Sequence, residues 1–484
     1  MTTTPTTRTK RAWLISAVAA IFAATASCAL AQDGRLEFEP VTGIVGTPVV
    51  ASASGLTPGQ TYDLVWSSAA ASWNVADGEF YGITSEDVSS VLGQLTADAS
   101  GNAATTFVVP EDYGYVHNVF VEQGGVRAAR QGFVVAPSLT ISPTSGPPGT
   151  PITLTLTGVG YRFWESVWHL SYDGAHSGWL SGITTKGTAT AVIPATGPVG
   201  LHTLQVLSGT HPVPYLNQQQ APIYNPQVPT VMGALFEVTD GPPASWPTLA
   251  DQQLSRTPGT QARDTGAALT ADYLSGTVGS QLRLAGVGFP AGAPVDLSWS
   301  AVRGNRLSGK GWEVVEEPLG RVTTDGSGAF SFTLATPDDL GGAHTITATS
   351  GDVSADLEYL ITPSILAAPT GPVAPGGDIV ITIKGVGWTE TANIYTLLLD
   401  NGYLGYGCGF NSRGDVTIYL KAPGAIGTHF ISLYPAIYQG DLEGPGAPPN
   451  TATANATYLQ VPMLNWQDHP GEVIPAFHIA FEVR

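Results

Sequence analysis

Four histidines occupy matching places in this 484-residue chain: His117, His202, His344 and His429. His117 and His344 lie 227 residues apart, as do His202 and His429, and 85 residues separate His117 from His202 and His344 from His429. Imidazoles converging on one point could hold zinc, which needs three or four ligands. Here each histidine falls in its own repeat. Each follows a proline-led turn and precedes alternating residues such as Thr345-Ile346-Thr347. The pattern predicts four strand-start residues bonded to neighbouring loops, and no shared metal site.

Other chemistry-bearing residues read in the same way. Asp98, Ser100 and Asn102 stand in a glycine-containing turn with calcium-loop spacing, but the further acids and terminal Glu of such a loop are missing. Asp325 repeats the first position and Ala329 replaces the last, which predicts a hairpin turn. Glu111-Asp112 matches Asp338-Asp339, a retained turn and not an acid/base pair. No G-x-S-x-G, H-E-x-x-H, P-loop or C-x-x-C occurs. Carboxylates brought together by the fold stay open as a possibility. Trp66 and Trp299 sit in matching strands and are expected in cores. Trp73, Trp179, Trp312, Tyr403 and Tyr406 are the candidate ligand-contact aromatics. They would stack on sugar rings or form a contact patch between units. No catalytic residue, metal or cofactor is assigned.

The elements that must position these residues are strands. Ile152-Thr153-Leu154-Thr155-Leu156-Thr157 alternates apolar and polar, and residues 379–384 do nearly the same. Turn residues punctuate the runs: Ala99-Ser100-Gly101-Asn102, Gly326-Ser327-Gly328, Pro147-Pro148-Gly149 and Pro375-Gly376-Gly377. No long window has helical periodicity. The constant offset joins Thr96 to Thr323, Pro110 to Pro337, Gly149 to Gly376 and Asp173 to Asp400, which marks a tandem duplication. Each half divides again, giving four units in the order A1-B1-A2-B2 at 35–136, 137–239, 267–362 and 363–484, with a linker at 240–266. The fold class is all-β: tandem antiparallel sandwiches. B2 carries 18 more residues than B1, within 436–474, read as a loop at a sandwich end. Units strung out as beads are expected.

Gly and Pro number 58 and 37, and charged residues are only 12% of the chain, which fits short strands with many turns. The net charge of −19 repels phosphate backbones and argues against nucleic-acid binding. Arg8, Lys10 and Arg11, an apolar run at 12–26 and Ala29-Leu30-Ala31 read as a signal peptide over 1–31. The run is too short to span a bilayer, and no transmembrane helix is expected in the mature chain. Thr25-Ala26-Ser27-Cys28 offers a rival lipobox in which Cys28 is lipidated. Cleavage after Ala31 leaves Cys408 alone, expected as a small core or turn residue.

The stretch Ile141-Ser142-Pro143-Thr144-Ser145-Gly146-Pro147-Pro148-Gly149, followed by strand residues and Gly158-Val159-Gly160-Tyr161, resembles the start of an IPT/TIG-type immunoglobulin-like domain. B2 echoes it with Pro375-Gly376-Gly377 and Gly385-Val386-Gly387-Trp388 but lacks the Ser-Pro opening. The A units resemble broader bacterial immunoglobulin-like repeats. The resemblance implies an immunoglobulin-like sandwich used as a spacer, adhesion or accessory module, and no catalytic residues. The expected protein is extracellular or on the cell surface, structural or adhesive, and non-catalytic. A carbohydrate-binding protein is the alternative, and a secreted hydrolase a further one. Its partners would be an extracellular glycan, a cell-envelope component or another copy.

Overall fold

The computed structural model describes residues 34–76, 78–209, 214–220, 225–259, 266–304, 312–409, 412–437, 460–471 and 474–484. Residues 1–31, read above as a signal peptide, and Cys28 within them lie outside these residues. The chain is a tandem of immunoglobulin-like β-sandwiches. In the A1 region a three-stranded sheet (Arg35–Glu39, Pro48–Ser54, Ala103–Val108) faces a five-stranded one, whose edge is the long hairpin Thr61–Ala76 and Glu79–Thr96. The B1 and A2 regions repeat this three-on-five plan. B2 has three strands facing four, with the isolated bridge Val373 to Val483 in place of a short edge strand. Helix among the described residues is confined to Leu249–Gln252 and short 3-10 turns such as Gln218–Gln220 and Trp466–Asp468.

Alternation drives the layering. Pro151–Thr157 buries Ile152, Leu154 and Leu156 and turns its threonines outward. Trp66 and Trp299 are each 1% exposed at the centres of the A cores, as their matching strands predict. The A–B joint is also repeated. Gly114 N–H donates to Val159 at 3.1 Å and Gly341 N–H to Val386 at 3.0 Å. A side chain on Gly114 would collide with the Gly158 carbonyl at 1.8 Å, so only glycine permits this approach.

The units do not run as separate beads. The B1 core continues into B2 through Leu398, Tyr434, Leu464 and Ala476. A further core draws on three units: Trp73 and Phe80 from the A1 hairpin, Val167 and Trp179 from B1, and Ile437, Val461 and Met463 from B2. These shared clusters take apolar side chains of different units out of water, which offsets the freedom lost by a strung chain. The stretch between the halves is fastened too. Trp246 packs on Phe430 and His478, and Gln252 bonds both the N–H and the carbonyl of His478.

Candidate functional site

The four repeat histidines act as clamps within their own units. His117 places Nδ1 2.9 Å from the Ser67 carbonyl and Nε2 2.7 Å from that of Tyr113. His344 repeats this with Ser300 and Leu340. Each ring stacks on the core tryptophan, at 4.5 Å on Trp66 and 4.4 Å on Trp299. In the B units the partners are an aspartate and a carbonyl: His202 with Asp173 and Pro198, His429 with Asp400 and Ala425. The Asp400 hydrogen bond raises the His429 pKa above the usual histidine value.

The paired acids are similarly committed. Asp112 accepts from Trp66 Nε1 at 2.8 Å and from Ser68 at 2.6 Å, and Asp339 accepts from Trp299 and Arg303. Asp98 and Asp325 close their hairpin turns by accepting backbone N–H groups two and four residues on. Among the described residues no group of three or more His, Cys, Asp or Glu is arranged to hold a metal ion.

The junction between halves is where side chains from distant segments converge. It is built on the B1 edge strand Ala175–Leu180 and on the described part of the extra B2 residues, the arm 460–471. Trp179 N–H donates to Pro462 at 2.8 Å, and Leu464 N–H donates back to Trp179 at 2.9 Å. The arm thus continues the B1 sheet by one short strand. Asn465 adds both amide groups to the backbone of Ser181. Asp468, 2% exposed, accepts from Ser181 Oγ at 2.6 Å, Ile183 N at 2.9 Å and Thr184 N at 2.8 Å, with the Thr184 hydroxyl as a further donor. These donors offset the cost of burying the carboxylate. Trp73 Nε1 donates to the Asp468 carbonyl, fastening the A1 hairpin to the same point. Nearby, Asn401 donates to Pro194 and Thr196 of B1, and the hairpin tip exchanges bonds with Glu390 of B2.

The aromatic candidates therefore have separate fates. Trp179 is 3% exposed and its Nε1 donates to Val461, so it offers no open face to a sugar. Trp73 is half-buried at a right angle to Trp179, 6.5 Å away. Tyr403 is half-buried and bonded to the Gln460 carbonyl. Tyr406 is 46% exposed. Trp312 opens the strand Trp312–Thr323 in A2, and its side chain lies outside the described residues. Cys408, expected in a core or turn, is exposed at the end of the edge strand Gly402–Cys408.

Reading the chain by its 227-residue register misses the arm. Its signal is a second repeat in another register: Pro214-Tyr215-Leu216-Asn217-Gln218-Gln219-Gln220 parallels Pro462-Met463-Leu464-Asn465-Trp466-Gln467-Asp468.

No family model matches the chain, and no curated protein matches it. Solved structures with some likeness include a tetra-tandem repeat from the extending region of a large adhesion protein, at 12% identity and TM-score 0.19, covering 84% of this chain and 96% of that one. A four-domain ICAM-5 ectodomain fragment matches at 12% identity and TM-score 0.17, over 89% and 100%. Invasin, a bacterial integrin-binding protein, matches at 12% and 0.17, over 81% and 74%. Likenesses this weak carry no argument about arrangement or activity. Among the described residues no helix is long and apolar enough to cross a membrane.

Proposed function

We propose that this chain is an extracellular or cell-surface protein of immunoglobulin-like repeats, structural or adhesive, and without a catalytic role. Its 137–239 and 363–484 units are of the IPT/TIG kind. The observation that carries this reading is the use made of its chemistry-bearing residues. A general base needs an open lone pair within reach of substrate. Both ring nitrogens of each repeat histidine already face oxygens of the same unit. Asp112, Asp339 and Asp468 are occupied by donors in the same way. What remains is a braced scaffold, and export follows from the leader-like residues 1–31.

Glycan binding is the second reading, favoured by the exposed rings of Tyr406 and Trp164 at 46% and 42%. Retention of the full chain on cell envelopes and on insoluble polysaccharides, with and without calcium, tests both. The structural reading expects envelope retention that survives Trp164→Ala and Tyr406→Ala. Retention on one polysaccharide, lost in either variant, would replace it with glycan binding. Turnover of a polymer, abolished by one carboxylate substitution, would overturn the non-catalytic assignment.

A further inference from the structure

Alternate residues of an antiparallel strand turn their backbone N–H and C=O groups to opposite sides. In the long A1 hairpin two hydrogen bonds tell the sides apart. The Ser67 carbonyl meets His117 Nδ1, and the Ala71 N–H donates to the Tyr113 hydroxyl at 3.3 Å. Both partners come from the side of the strand Tyr115–Gln123, across Thr61–Ala76 from the second hairpin strand. Ser67 and Ala71 therefore face away from that second strand, where Ser89 and Ser85 stand opposite them. It follows that Ser85, Asp87, Ser89 and Val91 direct their backbone groups outward. Glu79–Thr96 is the last strand of its sheet, and among the described residues no hydrogen bond reaches 85–91 from that side. Residues 84–91 are all exposed, Val88 at 43% and Val91 at 59%.

The A2 unit has the same edge and guards it. The Ser300 carbonyl meets His344 as Ser67 meets His117, so Glu316, opposite Ser300, and Pro318 face outward. Pro318 holds the place of Val91: after a matching bulge it stands opposite Ser298, as Val91 stands opposite Val65. It has no N–H to offer. The strand Trp312–Thr323 also carries Glu313, Glu316 and Glu317. Proline and charge are the devices that keep sheet edges from pairing. A1 has a valine at the guarded position, and its acids are Glu86 and Asp87.

We propose that two copies of this chain pair through the 85–91 edge of A1, antiparallel about a twofold axis at Val88. In this register Ser85 faces Val91 of the second copy and Asp87 faces Ser89, and each such pair exchanges both backbone hydrogen bonds. Val88 meets Val88 in the close, non-hydrogen-bonded pair. Glu86 falls opposite Ser90, so no like charges stand directly across the joint, which is what selects a second copy as the occupant. The two five-stranded sheets become one. Like faces meet, so the assembly closes at two. The paired edge is only about 20 Å long. A contact of that size is at the weak end of protein interfaces, so dimer forms at high concentration. The inference needs only this edge and stands apart from the adhesive reading.

Sedimentation velocity of the full chain, from micromolar to near-millimolar concentration, tests it. The wild-type coefficient is expected to climb to that of a dimer and stop there. Val91→Pro copies the A2 edge, a substitution the same fold already holds, and should weaken association at least about tenfold by removing one N–H per copy. Val88→Glu, at an exposed position, should do the same by setting like charges across the axis. The register is read separately by cysteine cross-linking, with Cys28 and Cys408 replaced by serine. Val88→Cys should oxidise to a covalent dimer, because the two positions face each other. Ser85→Cys should not, since the axis holds its two copies about 20 Å apart. A wild-type chain that stays monomeric overturns the pairing and leaves the edge to a strand of another protein. Growth beyond dimer overturns it too, as does association unchanged in Val91→Pro and Val88→Glu, or equal cross-linking at 85 and 88.

Discussion

At the scale of single residues, the same side-chain types serve two purposes according to where their partners lie in the chain. His117 finds Tyr113 four residues away and Ser67 on the adjacent strand, and a strand-start histidine of this kind is legible from its local pattern. Trp179 is covered by residues more than 280 positions downstream, and no local pattern announces that. Asp468 is similar: its neighbours in sequence say nothing of Ser181 or Thr184. We expect Asp468→Ala to strand these buried donors and cost about 3 kcal/mol of docking. Hydrogen exchange at the Ile183 and Thr184 amides checks this. Their protection should fall in the variant while that of Leu154 in the B1 core stays unchanged. Equal loss at both places would mean that Asp468 supports the B1 sandwich and not the clasp.

At the scale of elements, the arm is a segment whose length was legible and whose task was not. The 18 extra residues show in the spacing of the last strands, but strand alternation carries no information on a partner that far away. The arm also brings a pH dependence. Burial pushes His469, beside Asp468, down to about 4, and does the same to His176 at the B1 edge and His478 beneath Trp246. In the undocked chain each titrates near 6.5. As pH falls through that value the undocked state takes up protons first, so docking is at full strength above about 6.5 and weakens toward pH 4. For His469 the loss is about 2 kcal/mol by pH 5. His429 has the opposite sign. Its raised pKa contributes stability that is full below 6.5 and fades as pH rises, so this histidine does not loosen B2 in mild acid. We expect acid to part the halves before the units unfold. Limited proteolysis of the arm at stepped pH should show cleavage rising between 6.5 and 4, and His469→Leu should move the rise to lower pH. Cleavage independent of pH would remove these histidines from the account.

At the scale of the whole molecule, the sandwiches and their duplication follow from alternation, turn residues and one constant offset, all of which are local or periodic. The beaded arrangement does not survive, because the contacts that gather the units belong to the clasp, the A1 hairpin tip and the stretch fastened through Trp246 and Gln252. Gly78, Thr389 and Glu390 show how specific that gathering is: the tip of an A1 hairpin bonds backbone to backbone with B2. The most direct measurement is small-angle scattering of the full chain at neutral pH and low concentration, beside Leu464→Asp. Four 100-residue beads in line, each with a radius of gyration of about 13 Å, would give roughly 40 Å overall. The clasped arrangement predicts a wild-type value well below that and an increase toward it when Leu464 becomes charged. A wild-type chain already at the value of the beaded rod, or a variant indistinguishable from it, would contradict the clasp.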